Sequence, residues 1–367
     1  MFDRRLVQYF DWGLLCLTVI IGFIGLITLY SAVTAGISAP QKVLCVKQLI
    51  WYGIGLTAMI ISFLFHYKAL ERWAGVIYVF CIILLISVLF FGRYVGGSRR
   101  WLTILSVSLQ PSELVKIATI ILLARYYSSL AKTTGLKMKD LFIPFILVAV
   151  PFILIVKQPD LGTAMLILLI AGSMTFFVKI ERRTLIYITT FCGITVPSIC
   201  FFLKEYQKQR ILTFLDPDRD PLGTGYHIIQ SKIAIGSGML YGKGFLKGTQ
   251  NAFSFLPEEH TDFIFSVLAE EWGFVGSAVL LFILFMLIVC GLNIAYGCRD
   301  SFGTILSVGI TTMLTWEIFI NIGMVAGIVP VVGVPLPFIS YGGSSVLTVM
   351  ISIGILMNVS MRRFMHS

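Results

Sequence analysis

FLPEEHTDFIFSVLAEEWGFVG, residues 255–276, sets a cluster of ionisable groups against a run that has no water to offer them. Glu258, Glu259, His260 and Asp262 stand just before Phe263, where the chain turns apolar over 263–297. A run of that length crosses a bilayer core of about 30 Å. An ionised carboxylate at the centre of such a helix costs about 2.5–3.5 kcal/mol on insertion scales, so acids at its edge mark a functional position. Glu270 and Glu271 follow about two turns in, on the side reached from Asp262. Asp262 has an ordinary reading as well, because an Asp ahead of a helix caps it and complements its dipole. Both readings stay open on the residue alone.

The rest of the chain repeats the apolar theme. Hydrophobic residues make up 57% and charged residues 13%, with mean hydropathy +0.93, where soluble domains carry about 25% charged residues. Runs of span length fall at 12–32, 47–66, 73–92, 111–127, 141–156, 160–179, 184–204, 263–297, 302–327 and 342–361. The expected fold is an all-α integral membrane protein of ten transmembrane helices, a single domain over 1–367. Pro144 and Pro151 make the short fifth run a kinked helix packed within the bundle. The first run is of full span length and lacks a small-residue cleavage pattern, so it reads as a span and not as a signal peptide. Cys16, Cys45, Cys81, Cys192, Cys200, Cys290 and Cys298 show no CxxC spacing and read as packing residues.

Charge in the short loops sets the orientation. Arg4, Arg5, Lys68, Arg72, Lys132, Lys137, Lys139, Lys179, Arg182, Arg183, Arg299, Arg362 and Arg363 all share one side if both termini are cytoplasmic. Lys42, Lys47, Arg93, Arg99, Arg100 and Lys157 fall on the other, so the bias is moderate. The large hydrophilic segment between helices seven and eight, 205–262, is then extracytoplasmic. It carries Lys204 at its edge and Lys208, Arg210, Arg219, Lys232, Lys243 and Lys247 within, against seven acids. The segment itself is close to neutral, and the chain's net charge of +10, on a protein with this topology, suits an anionic lipid head group or a pyrophosphate and not nucleic acid. No nucleotide donor is expected on that side. Within the segment, 226–238 reads as a short amphipathic helix on the bilayer surface, and DPDRDPLGTG (216–225) as a turn.

Further acids lie in or at the edge of spans. Glu113 and Lys116 are three apart and share a helix face, a structural ion pair. Asp160 in KQPDLGTA (157–164) is a cap or the partner of a cation from another span, and Glu317 sits deep in the ninth run. DPDRDP fits neither a nucleotide-sugar metal site nor an EF-hand, and no P-loop, HExxH, GxSxG or Rossmann fingerprint occurs. A transporter and a lipid-handling enzyme would share these features.

NIGMVAGIVPVVGVPLPFISYGGSS (321–345), with FLPEEHTDFIFSVLAEE (255–271), KQPDLGTA (157–164), GGSRRWL (96–102) and QPSELVK (110–116), resembles the signature of the FtsW/RodA/SpoVE (SEDS) family of cell-wall polymerases. GFLKGTQ (244–250) and PVVGVPLPFISYGG (330–343) resemble its RodA branch more than its FtsW branch. The resemblance implies a bacterial cytoplasmic-membrane glycosyltransferase that polymerises lipid II into β-1,4 glycan strands during elongation. Asp262 is implied as its essential aspartate, acting as base in an inverting displacement. Arg100, Arg210, Lys243, His260, Ser340 and Tyr341 are the substrate-binding candidates, with Mg or Mn as a candidate metal. A class B penicillin-binding protein transpeptidase and other elongation-complex membrane proteins are the implied partners. A lipid II flippase or a scaffold for the transpeptidase is the competing reading.

Overall fold

The computed structural model describes residues 10–34, 42–95, 98–104, 107–130, 135–199, 205–220, 223–252 and 260–362. Three helices open the chain: α1 (Trp12–Thr34), α2 (Lys42–Leu64) and α3 (Tyr67–Phe91). A three-stranded antiparallel meander follows, β1 (Arg93–Val95), β2 (Ser98–Ile104) and β3 (Val107–Leu109), with Arg93 opposite Trp101 and Leu102 opposite Leu109. The all-α expectation missed this small sheet. Short stretches such as RYV and RRWLTI carry the aromatic and β-branched residues that suit a pleated surface, yet they are too brief to stand out beside the spans.

The chain continues as α4 (Pro111–Ser129), α5 (Phe142–Lys157), α6 (Leu161–Phe177) and α7 (Arg182–Ile199). The hydrophilic segment then folds as α8 (Glu205–Leu215), α9 (Thr224–Ser237) and a single turn, α10 (Thr249–Ala252). Three long helices close the described chain: α11 (Ile264–Gly297), α12 (Ser301–Val325) and α13 (Gly343–Arg362). Each of the ten apolar runs is thus helical over most of its length. Among the described residues, seven helices are long and apolar enough to cross a membrane, namely α1, α2, α3, α5 with its preceding turn, α11, α12 and α13.

Apolar residues ring the membrane-length helices, so hydrophobicity does not decide which of them occupy the centre. Small and polar residues do, because they let backbones approach and hydrogen-bond. α13 carries Ser344, Ser345, Thr348, Ser352, Gly354 and Ser360 and is buried almost throughout. A Cβ on Gly354 would meet the Met59 carbonyl of α2 at 2.6 Å, which measures how closely those two helices pack. α4 and α12 are likewise central. α5 was expected within the bundle and instead lies at its edge, with Phe142, Ile143, Phe145 and Ile153 exposed. Its bulky sequence, FIPFILVAVPFILIVK, offers few small residues for close packing, and Pro151 lies inside the helix.

α9 appears where the amphipathic pattern put it, but its apolar face is covered by protein. Ile228, Ser231 and Ala234 are buried. Ser231 Oγ donates to the Val325 carbonyl at the end of α12 (2.6 Å) and shares a hydrogen bond with Ser266 of α11 (2.8 Å).

Candidate active site

Asp262 lies in the turn that leads into α11. Phe263 holds the N-cap position and Ile264 is the first helical residue, so Asp262 stands one residue ahead of the N-cap. Three successive carbonyls of this turn are each taken from elsewhere. Tyr341 N–H donates to the His260 carbonyl (2.9 Å). Ser340 Oγ donates to that of Thr261 (2.6 Å) and Asn321 Nδ2 to that of Asp262 (3.1 Å). The Asn321 amide also donates to the Val334 carbonyl (2.7 Å), and Ser340 Oγ accepts from Leu336 N–H (2.8 Å). The Asp262 side chain itself is half-buried. Its Oδ2 faces Gly333, where a Cβ would come within 3.2 Å and where φ is +72°. A glycine there leaves room beside the carboxylate and adopts a backbone few other residues tolerate.

The loop between α12 and α13 is therefore the keystone, and α2 holds its far side. Gln48 is buried in α2 and donates through Nε2 to the Ser340 carbonyl (3.2 Å), while its Oε1 accepts from Gly342 N–H (3.3 Å). Tyr52 donates to the Phe338 carbonyl. His260 and Tyr341 face each other with ring centres 6.0 Å apart. Burial pushes the Tyr341 phenol above its ordinary range, so it stays a neutral hydrogen-bonding group.

The same loop reaches a second polar cluster. Ser344 Oγ accepts from Gln110 N–H (2.9 Å), and Gln110 Nε2 donates to Asp160 Oδ2 (3.1 Å). Asp160 is a cap and also the partner of a cation, but that cation comes from β2 and not from another span. It caps α6 through Thr163 N–H (3.4 Å) and Thr163 Oγ1 (3.0 Å). It also lies 3.7 Å from Arg100 Nη1. The Arg100 side chain keeps 25% exposure, donates to the Pro159 carbonyl and has its Nε buried without a partner among the described residues.

Lys243 is held elsewhere. Its ammonium sits 2.7 Å from Glu270 Oε1 and 2.7 Å from Thr249 Oγ1. Glu270 is fully buried, and the same oxygen accepts from Thr249 N–H (2.8 Å) and Gln250 N–H (3.1 Å). Glu271 accepts from Ser31 of α1. These acids lie just before a break that the apolar run concealed: Gly273 has φ +66° and ψ −162°, so 264–272 is a half-helix set off from the span that follows. The freed amides of Phe274 and Val275 donate to the Met239 (2.8 Å) and Leu240 (3.1 Å) carbonyls. Those of Lys243 and Gly244 donate to the Glu270 and Glu271 carbonyls (both 3.0 Å).

Glu113 and Lys116 pair at 2.9 Å as their spacing implies, but Glu317 of α12 joins them at 2.5 Å from the same ammonium. Arg210 falls on α8 with its side chain outside the described set, and Glu258 and Glu259 lie outside the described residues. No three His, Cys, Asp or Glu come together as a metal cage among the described residues. The sequence reading assigned no role to Gln48, Asn321 or Gly273. A lone amide in an apolar helix was the available signal for the first two, because burying it requires partners.

Comparison with known proteins agrees with this architecture. The FtsW/RodA/SpoVE family model, described as a cell cycle protein, matches residues 9–364. The chain is 43% identical over 340 residues to the peptidoglycan glycosyltransferase MrdB of Escherichia coli (strain K12), covering 92% of this chain and 91% of that protein. It is 37% identical over 366 residues to the stage V sporulation protein E of Bacillus subtilis (strain 168), covering 95% and 96%. Among solved structures, a peptidoglycan synthase complex described as coordinating polymerization and crosslinking aligns with TM-score 0.83 at 30% identity, covering 97% of this chain and 99% of that one. The rod shape determining protein RodA of Thermus thermophilus aligns with TM-score 0.72 at 28% identity, covering 97% and 98%. With the family's model spanning nearly its whole length, this chain belongs to the FtsW/RodA/SpoVE family.

Proposed function

We propose that the protein is a peptidoglycan glycosyltransferase of the bacterial cytoplasmic membrane that extends glycan strands from lipid II during elongation. One observation carries the reading: a half-buried carboxylate whose own backbone is fixed through three consecutive carbonyls. A group held that firmly meets a reacting atom in one geometry. The proposed topology has ten spans in one membrane domain, both termini cytoplasmic, and residues 205–262 outside as the active-site loop.

In the proposed reaction Asp262 accepts the proton of the acceptor sugar's 4-hydroxyl as that oxygen attacks the anomeric carbon of the donor. The new C–O bond forms opposite the α-linked pyrophosphate. The bond to undecaprenyl pyrophosphate breaks with its electron pair, so α becomes β in a single displacement. Positive charge stabilises the departing pyrophosphate. Arg100 is the better candidate, because it is partly exposed and its contact with Asp160 is the longer one at 3.7 Å, against 2.7 Å for Lys243 and Glu270, and Arg210 is a further one. Lys243 is neutralised by Glu270, which favours a positioning role. His260, Ser340 and Tyr341 build the seat of Asp262. A requirement for Mg or Mn is tested by chelation and re-addition. A class B penicillin-binding protein is the proposed crosslinking partner, alongside other elongation proteins.

The test is purified protein with lipid II, scored for both polymer and translocation. Asp262→Asn should leave thermal stability nearly unchanged and reduce polymerisation by roughly 10²-fold or more, the scale of losing a general base. Polymerisation near the native rate would move the flippase or scaffold reading ahead.

A further inference from the structure

Lys116 lies wholly inside the bundle between two carboxylates. Its Nζ is 2.9 Å from Glu113 Oε1 and 2.5 Å from Glu317 Oε1, with side-chain exposures of 0% for the lysine and 4% and 1% for the acids. α4 and α12 pack tightly just beyond, where a Cβ on Gly309 would come within 2.6 Å of Ile120 Cγ2. One ammonium thus serves two acids across a helix interface.

Fully ionised, the three groups would carry a net charge of −1 in the buried interior. The charges that act on Lys116 are those of Glu113 and Glu317, and those that act on Glu317 are Lys116 and Glu113. No further cation acts on these acids: Lys68 and Arg72 lie in the first two turns of α3 and Arg125 near the end of α4, where Lys68 and Arg125 act on Glu71. α6 has no ionisable residue, and α13 has Arg362 at its far end, bound to Asn358. Arg100 of β2 is taken by Asp160. The second oxygens, Glu113 Oε2 and Glu317 Oε2, are both buried with no partner among the described residues. Two carboxylates on one ammonium lie within the about 4–6 Å over which like charges suppress each other's ionisation.

We propose that this triad is a proton-binding site: one proton is held between Glu113 and Glu317 while Lys116 stays charged. The cluster is then neutral, and the proton belongs to the pair and not to either acid alone. A carboxylic acid also gives one orphaned oxygen a donor hydrogen in place of a bare charge. Glu317 lies one helical turn before Asn321, so the site adjoins the residue that holds the Asp262 carbonyl.

Infrared difference spectroscopy of the full chain in lipid nanodiscs tests this at neutral pH. A protonated carboxyl group has a carbonyl stretch separate from the carboxylate bands, and the band shifts in D2O. Wild type minus Glu317→Gln, and wild type minus Glu113→Gln, should each show loss of one carboxylic-acid equivalent. Both single variants should melt close to wild type, since one acid suffices for the lysine. Lys116→Met should gain one acid equivalent as both carboxyls take protons; if that variant does not fold, the two Gln spectra still decide. Loss of a carboxylate band and no acid band in both Gln variants would overturn the proposal. A sodium-dependent rise in melting temperature that vanishes in Glu317→Gln, without an acid band, would overturn it in favour of an alkali cation.

Discussion

Asn321 bridges the two strands of chain that form the seat of Asp262, donating to the Asp262 and Val334 carbonyls from one buried amide. Removing it leaves buried acceptors unpaired, at about 1–3 kcal/mol each. Asn321→Leu should therefore lower kcat for polymerisation by about 10- to 100-fold through misplacement of the base, with KM little changed. A rise in KM at constant kcat would instead give Asn321 a role in substrate binding. Lys243 is decided by a paired substitution. Lys243→Met alone leaves fully buried Glu270 without its cation. Breaking a wholly buried pair costs about 3–5 kcal/mol, and the cost here is smaller because Lys243 is partly exposed and Thr249 and Gln250 still donate to Glu270. If the lysine only positions the loop, Lys243→Met with Glu270→Gln should regain both melting temperature and polymer yield. Recovery of stability with polymerisation still lost would place Lys243 on the pyrophosphate.

At the scale of elements, the break in α11 is what binds the hydrophilic segment to the membrane core. The half-helix 264–272 carries the acids and the following span carries the lipid-facing bulk, with Phe274, Val279, Phe282 and Phe285 exposed. The loop around 239–244 fills the break with four backbone hydrogen bonds. Gly273 permits this geometry: a Cβ there would fall 2.3 Å from Gly242 N. A φ of +66° with ψ of −162° falls in a region occupied essentially by glycine alone, and it costs another residue about 1–3 kcal/mol. Gly273→Ala should reduce the melting temperature by several degrees and abolish polymerisation even though alanine favours helices. Unchanged activity would mean that the kink is dispensable and that 264–297 works as a straight span.

For the whole molecule, orientation is the property that controls which substrates reach Asp262. Arg219 is exposed in a short turn between α8 and α9, paired only with Asp216 at 2.9 Å among the described residues. Arg219→Cys should react with an impermeant maleimide in intact cells, above the background of the seven native cysteines. Reaction only after lysis would reverse the topology and reopen nucleotide-linked donors. The cytoplasmic end, in this topology, is fastened by Arg362, which donates to the Leu64 (3.1 Å) and Phe65 (3.2 Å) carbonyls at the end of α2. That contact ties the last helix to the second, as Gln48 does at the other end.

The sequence by itself determined the helices, because length and hydropathy are local properties and each apolar run had to satisfy its backbone internally to lie in lipid. It also determined that Asp262 stood at a helix edge, that 226–238 was amphipathic and that Glu113 and Lys116 shared a face. It could not tell which helices were central, since apolar residues surround them all and close approach depends on small residues meeting across an interface. Only the tertiary structure decided the partners. Glu317 is 201 positions from Lys116, Ser340 is 79 from Thr261, and Glu271 is 240 from Ser31. Each pairing is fixed by packing between helices distant in the chain, and no periodicity within one segment records it.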